Sequence, residues 1–145
     1  MAVVAVDAGT TMIKAVAFDE DGAERAVARE DARVSHPREG IAEQDMAEVW
    51  AAVVICVRSA TAELDEPVDA VAVTGQGDGC WLVDGSARPT GPAVLWNDAR
   101  ASAIVESWRA SGVLDEAFKR TGCTTFAGLP HAILRWLGEH DPDRI

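Results

Sequence analysis

The sequence predicts an α/β fold, a mixed sheet flanked by helices, and three observations carry that prediction. Val3 to Phe18 reads as an apolar strand, a small-residue turn and a second strand. Met46, Val49, Trp50, Val53, Val57, Ala60 and Leu64 recur at helical spacing, giving one apolar stripe that must pack against a sheet. Val68 to Val73 is then an apolar run that leads straight into the polar, glycine-rich segment Thr74-Gly-Gln-Gly-Asp-Gly79.

Taken in order, the first strand is too apolar to face water and belongs in the centre of the sheet. Asp7 therefore stands at its carboxyl end, where an open α/β sheet normally places ligands. Asp19-Glu-Asp21-Gly22 is an acidic turn that closes a hairpin. A third strand, from near Arg25 to Ser35, mixes Arg, Glu and Asp with Ala and Val, which suits an edge. His36-Pro37 and Gly40 mark a loop. Asp45 with Glu48 three residues on reads as a capping box that opens the helix, and Trp50 falls within its core stripe. Pro67 closes the helix region, and Val68 to Val73 is a second strand of central type. Cys80 to Val83 reads as a short strand and Asp84-Gly85 as a turn. Pro92 to Trp96 is a further apolar segment, ending in Asn97-Asp98-Ala99-Arg100. Helices are predicted from near Ala99 to Ser111, from near Leu114 to Arg120 and from Pro130 to His140. Gly112 and Gly122 stop the first two.

At 145 residues the chain has the size of one ordinary domain with a real core, not of two independent ones. Its 48% hydrophobic and 26% charged residues are those of a soluble globular protein and leave no disordered tail. A net charge of -11, with no basic stripe, argues against a nucleic-acid partner. The longest apolar stretch, Val49 to Val57, is far short of the roughly 20 residues that span a bilayer, so no membrane anchor is expected. Asp7 interrupts the first apolar run, which speaks against an export signal and for a cytoplasmic protein. Cys56, Cys80 and Cys123 are odd in number and widely spaced, with no disulfide or zinc pattern. His36, His131 and His140 form no metal-ligand cluster.

The chemistry concentrates in three segments that follow apolar strands, around Asp7, Asp78 and Asp98, and an open sheet would let them converge. Gly9 lets the backbone turn tightly and approach an anion, while Thr10, Thr11 and the turn amides can donate to phosphate oxygens. Asp7, an anion itself, suits a magnesium ion or its bound waters. Gln76, Asp78, Asn97 and Asp98 are the carboxylates and amides that hold a polyhydroxylated ligand, and Trp81 could offer its carbon skeleton an apolar face. Each segment also has a plain structural reading. The first is what an ordinary hairpin looks like, and the glycines around Gln76 could simply make a tight loop. Asp98 could only cap the next helix, and Trp81 and Trp96 could only fill core.

Asp7-Ala-Gly9-Thr10-Thr11-Met-Ile-Lys14 resembles the first phosphate motif of the actin, Hsp70 and sugar-kinase superfamily. Three further motifs follow: Glu43-Gln44-Asp45 with Trp50, Gly75-Gln76-Gly77-Asp78-Gly79 with Asp84, and Trp96-Asn97-Asp98-Ala99-Arg100. Together, in this order and over nearly the whole chain, they resemble the FGGY carbohydrate kinases. The Gly77-Asp78 pair departs from the Met-His of typical D-xylulose kinases and the Arg-Glu of glycerol kinases. It is closer to kinases of L-xylulose, erythritol and related polyols.

The resemblance implies a ribonuclease-H-like fold, with residues 1–145 as the amino-terminal kinase lobe, incomplete, and the second lobe absent from this sequence. It implies transfer of the ATP γ-phosphoryl group to a hydroxyl of a small sugar or polyol. Asp7 would be associated with Mg2+, and Gly9, Thr10 and Thr11 would face the transferred phosphate. Gln76, Gly77 and Asp78 would contact the acceptor, with Asp98 bordering its pocket. The family's general base and adenosine site belong to the part of the sequence that would follow residue 145, so this chain alone is expected to be inactive. Apolar surface left by an incomplete lobe leaves a homo-oligomer open. A noncatalytic nucleotide switch of the actin or Hsp70 kind, or an assembly module, is the competing reading.

Overall fold

The computed structural model describes residues 1–145. In chain order the elements are β1 (Ala2–Ala8), β2 (Met12–Phe18), β3 (Glu24–Asp31), β4 (Glu43–Gln44), α1 (Met46–Thr61) and β5 (Val68–Gly75). They continue with β6 (Ala93–Val94), α2 (Ser102–Ala110), α3 (Val113–Thr121), α4 (Pro130–His140) and a 3-10 turn, Pro142–Arg144. These elements fall into two compact units woven from one chain. One comprises residues 1–34 and 45–77, the other residues 35–44 and 78–145. Each unit takes its residues from two stretches of the chain.

The first unit is a four-stranded sheet in the order β3-β2-β1-β5, with α1 as the crossover to β5. β1 is central, as its apolarity requires, antiparallel to β2 and parallel to β5. The Asp19 turn closes the next hairpin, its carboxylate accepting from the amides of Asp21 and Ala23. β3 takes the polar edge but stops at Asp31, where the Ala32 amide bonds to Thr11 O, short of the expected Ser35. The core lies between one sheet face and α1. Val4, Val6, Ile13, Ala15 and Ala17 meet Val49, Ala52, Val53, Cys56, Val57 and Ala60.

Two expectations change here. Trp50 is 68% exposed, not core. The buried line runs through Val49, Val53, Cys56 and Ala60, and Trp50 stands about 100° round the helix from Val49. β5 reads as a central strand yet occupies the edge of the sheet, with every residue after Val68 exposed. Its apolar run is of the kind found in central strands, and periodicity alone does not set a strand's place in the sheet.

The second unit is mostly helical and is organised around the short pair β4-β6. α4 buries Ile133 and Leu137 against Cys80 and Val94, while α2 and α4 bring Ala101, Val105 and Ala132 together. Gly112 and Gly122 end their helices with φ of 78° and 70°, the left-handed geometry expected of them. The segment Cys80 to Val83 forms only isolated bridges, to Val94 and Pro89, because the chain folds at once into a loop around Asp84. No helix is long and apolar enough to cross a membrane.

Candidate functional site

At the carboxyl end of β1 the chain reverses through Gly9, whose amide donates to Met12 O at 3.1 Å. A Cβ on Gly9 would stand 2.9 Å from that same oxygen, so any larger residue would force the turn open. Asp7 is exposed at the mouth of this turn, and Thr11 is exposed on it. The parallel register pairs Asp7 with Thr74 and Ala8 with Gly75. Gly75 lies close against the end of β1, a Cβ there standing 3.4 Å from Ala8 O. The turn holding Gly9, Thr10 and Thr11 and the segment Gln76-Gly77 therefore leave the same end of the sheet from neighbouring strands. The structure brings these two predicted segments together.

Asp78 follows Gly77 directly in the chain and opens the second unit, where Gly79 is fixed by its surroundings. Gly79 has φ of 93°, donates its amide to Gly128 O at 3.0 Å and leaves only 2.6 Å between a notional Cβ and Val94 O. Gly128 is more constrained still, a notional Cβ falling 1.6 Å from Trp96 O. The Trp96 backbone is thus held by two glycines, whereas its indole is 48% exposed and fills no core. Sequence reasoning singled out Gly79 but not Gly128, which stands in an unremarked loop before α4.

The expectation that Asp98 borders a polyol pocket meets a fully engaged carboxylate. Asp98 is 2% exposed. One oxygen accepts from the Ala42 amide at 2.8 Å and from an Arg100 terminal nitrogen at 3.0 Å. The other accepts from the Arg100 amide at 2.8 Å and from Arg100 Nε at 2.9 Å. Four acceptances use the capacity of an ionised carboxylate, so a ligand hydroxyl would have to displace one of them. Nor does Asp98 cap a helix, because α2 starts later, from Ala101. Arg100 also donates to Glu43 at 2.7 Å, and its guanidinium lies 5.1 Å from the centre of the Trp136 ring. Burial works against the Arg100 charge, but the hydrogen bonds it donates to Asp98 and Glu43, with the charges of those carboxylates, outweigh it and raise the pKa. The Glu43 and Arg100 of the sequence motifs thus form one ion cluster with the buried Asp98, Glu43 at its partly exposed end, tying the start of β4 to the turn after Trp96.

Residues 2–145 match the family model described as the FGGY family of carbohydrate kinases, N-terminal domain. Among curated relatives, the L-xylulose/3-keto-L-gulonate kinase of Escherichia coli is 34% identical over 142 residues, which is 96% of this chain and 28% of that protein. The erythritol kinase of Brucella abortus is 37% identical over 123 residues, 83% of this chain and 24% of that protein. Among solved structures, xylulose kinase from Rhodospirillum rubrum superposes with a TM-score of 0.90 at 27% identity, covering 98% of this chain and 30% of that one. The chain therefore spans less than a third of the length of these relatives. The mixed sheet with its helices is the first part of the sugar-kinase fold, and the likeness to L-xylulose and erythritol kinases read from the Gly-Gln-Gly-Asp-Gly loop holds across the sequence. This chain belongs to the FGGY family of carbohydrate kinases, of which it carries the N-terminal domain.

Proposed function

We propose that residues 1–145 supply the first phosphate turn and part of the acceptor site of an ATP-dependent kinase. The enzyme moves the γ-phosphoryl group onto a hydroxyl of a small ketose or polyol of the L-xylulose or erythritol kind. The observation that carries this reading is the shared sheet end. A turn that admits only glycine, with an exposed carboxylate and two threonines, stands beside the Gly75-Gln76-Gly77 segment.

The donor set fits magnesium and a phosphate. Gly9 removes the side chain that would block close approach, Thr10 and Thr11 bring hydroxyl donors, and Asp7 brings a hard oxygen ligand. Magnesium bound there supplies charge neutralisation to a transfer that depends mainly on positioning. Asp7 orients the ion or its waters, and the Gly9 to Thr11 turn holds the phosphate oxygens. Gln76 and Asp78 bind adjacent hydroxyls of the acceptor, while Gly77 lets the backbone come near. Asp98 has a positioning role, fixing with Arg100 the turn that carries Trp96 and Asn97.

The test joins residues 1–145 to the remainder of the E. coli L-xylulose/3-keto-L-gulonate kinase and follows ATP-dependent phosphorylation across a panel of pentuloses and polyols. Asp7→Ala is expected to lower kcat at least about 100-fold, as loss of a transition-state charge stabiliser does, with acceptor binding retained. Asp78→Ala is expected to raise KM about tenfold or to change the preferred acceptor, the effect of losing a hydrogen bond to a charged group. Near-normal turnover in the first variant removes Asp7 from the mechanism. Unchanged KM and preference in the second removes Asp78 from the acceptor site.

A further inference from the structure

Asp78 is a half-buried carboxylate that the protein leaves without a hydrogen bond or an ion pair. The other two carboxylates of the sequence motifs in the second unit are answered from within. Asp84 accepts from the amides of Ser86 and Arg88 and pairs with the Arg88 side chain at 2.9 Å, and Asp98 is held by Ala42 and Arg100. The cations are spent as well. All six arginines between residues 78 and 145 are engaged, five by carboxylates and Arg144 by the Pro92 carbonyl. Lys119 borders a groove with Phe118 and Thr125 that Asp78 does not line.

Asp78 is also fixed in place. The backbone one residue on is held by the bond from the Gly79 amide to Gly128 O, with no room for a Cβ at Gly79. On its other side, a notional Cβ at Gly77 meets nothing within 4 Å. A carboxylate without a counterion thus stands on a rigid anchor beside open space.

Such a charge selects in two directions. It accepts charge-assisted hydrogen bonds from the hydroxyls of a neutral polyol, and it repels an acceptor that carries a carboxylate of its own. Attraction alone would discriminate poorly, because a sugar acid keeps most of the hydroxyls of its neutral counterpart. Repulsion by a charge that cannot move aside supplies the difference.

We propose that Asp78 makes the acceptor site select uncharged ketoses and polyols and reject sugar acids. The inference rests on the proposed function and adds to it the charge of the acceptor. The E. coli relative provides the contrast, being named for one neutral acceptor, L-xylulose, and one anionic acceptor, 3-keto-L-gulonate.

Residues 1–145 joined to the remainder of that kinase differ from the intact E. coli enzyme only in the first segment. The test compares kcat/KM for the two acceptors in both proteins. The ratio of 3-keto-L-gulonate to L-xylulose is expected to be at least about 100-fold lower in the chimera, the scale of like charges brought together in a desolvated site. Asp78→Asn keeps the shape and removes the charge. It is expected to raise KM for L-xylulose about tenfold and to improve kcat/KM for 3-keto-L-gulonate at least about tenfold. A merely structural role would weaken both acceptors together. The inference is overturned if the chimera keeps the E. coli ratio, or if Asp78→Asn moves both acceptors in the same direction. A chimera that phosphorylates neither counts against the proposed function. Preference is then read by calorimetric titration of the two acceptors, where tighter binding of L-xylulose supports the inference and equal affinity, or binding of neither, overturns it.

Discussion

Asp98 accepts four hydrogen bonds inside the protein, three of them from Arg100, and Arg100 reaches on to Glu43. The side chains of Asp98 and Arg100 are 0% and 6% exposed, so neither charge could be left without the other. Removing one partner of such a pair is far costlier than the pair is worth, because the remaining charge is stranded away from water. Arg100→Met is therefore expected to destabilise the protein by about 3–5 kcal/mol. Glu43→Gln, which keeps a hydrogen-bond acceptor at a partly exposed position, should cost only about 1 kcal/mol. Denaturant unfolding of both variants checks the order, and equal losses would show that Asp98 does not depend on Arg100. The sequence displays Asp98 and Arg100 in one motif, but the amide that completes the carboxylate belongs to Ala42, 56 residues away. Residue type pointed to a ligand contact or a cap. The third role depends on a long-range neighbour that local pattern does not contain.

Elements were legible where their own residues decide them. Asp45 accepts from the amides of Ala47 and Glu48, as the capping pattern requires, and α4 runs from Pro130 to His140 as its leading proline and apolar spacing predict. Asp45→Ala should cost about 1 kcal/mol, because the α1 amides then lose their only side-chain acceptor. Replacement by Asn or Ser should restore most of it, and an alanine variant as stable as the parent would show that the cap is redundant. The sheet end that gathers Asp7, Gly9 and Gly75 was legible for the same reason: two apolar strands that each end in a small polar turn. β5 was legible as a strand but not as an edge, since its neighbours are set by topology and not by its own pattern. Trp50 failed by one position. The apolar stripe of α1 is wide enough to include it, and only the packing line through Val49 and Cys56 leaves it outside.

At the scale of the whole molecule, the chain forms two units with separate cores, and each core holds one buried thiol. Cys56 donates to Ile13 O at 3.6 Å within the α1 core, and Cys80 lies against Val94, Ile133 and Leu137. Burial raises the pKa of both; at Cys56 the Glu30 charge adds to the effect and the Glu30 backbone opposes it, and at Cys80 Arg144 opposes it. Both groups are therefore protonated and shielded at neutral pH, whereas Cys123 is exposed. Because the thiolate is the reactive form, a small disulfide reagent should titrate one thiol rapidly in the native protein and the other two only through opening of their cores. This makes each thiol a reporter of one unit. Arg100→Met weakens the second unit, so it is expected to speed labelling of Cys80 in mild denaturant while Cys56 keeps the parent rate. Peptide mapping of the labelled sites distinguishes the two. If both thiols accelerate together, the cores open as one cooperative structure, and the division of the chain into two units is geometric without being energetic.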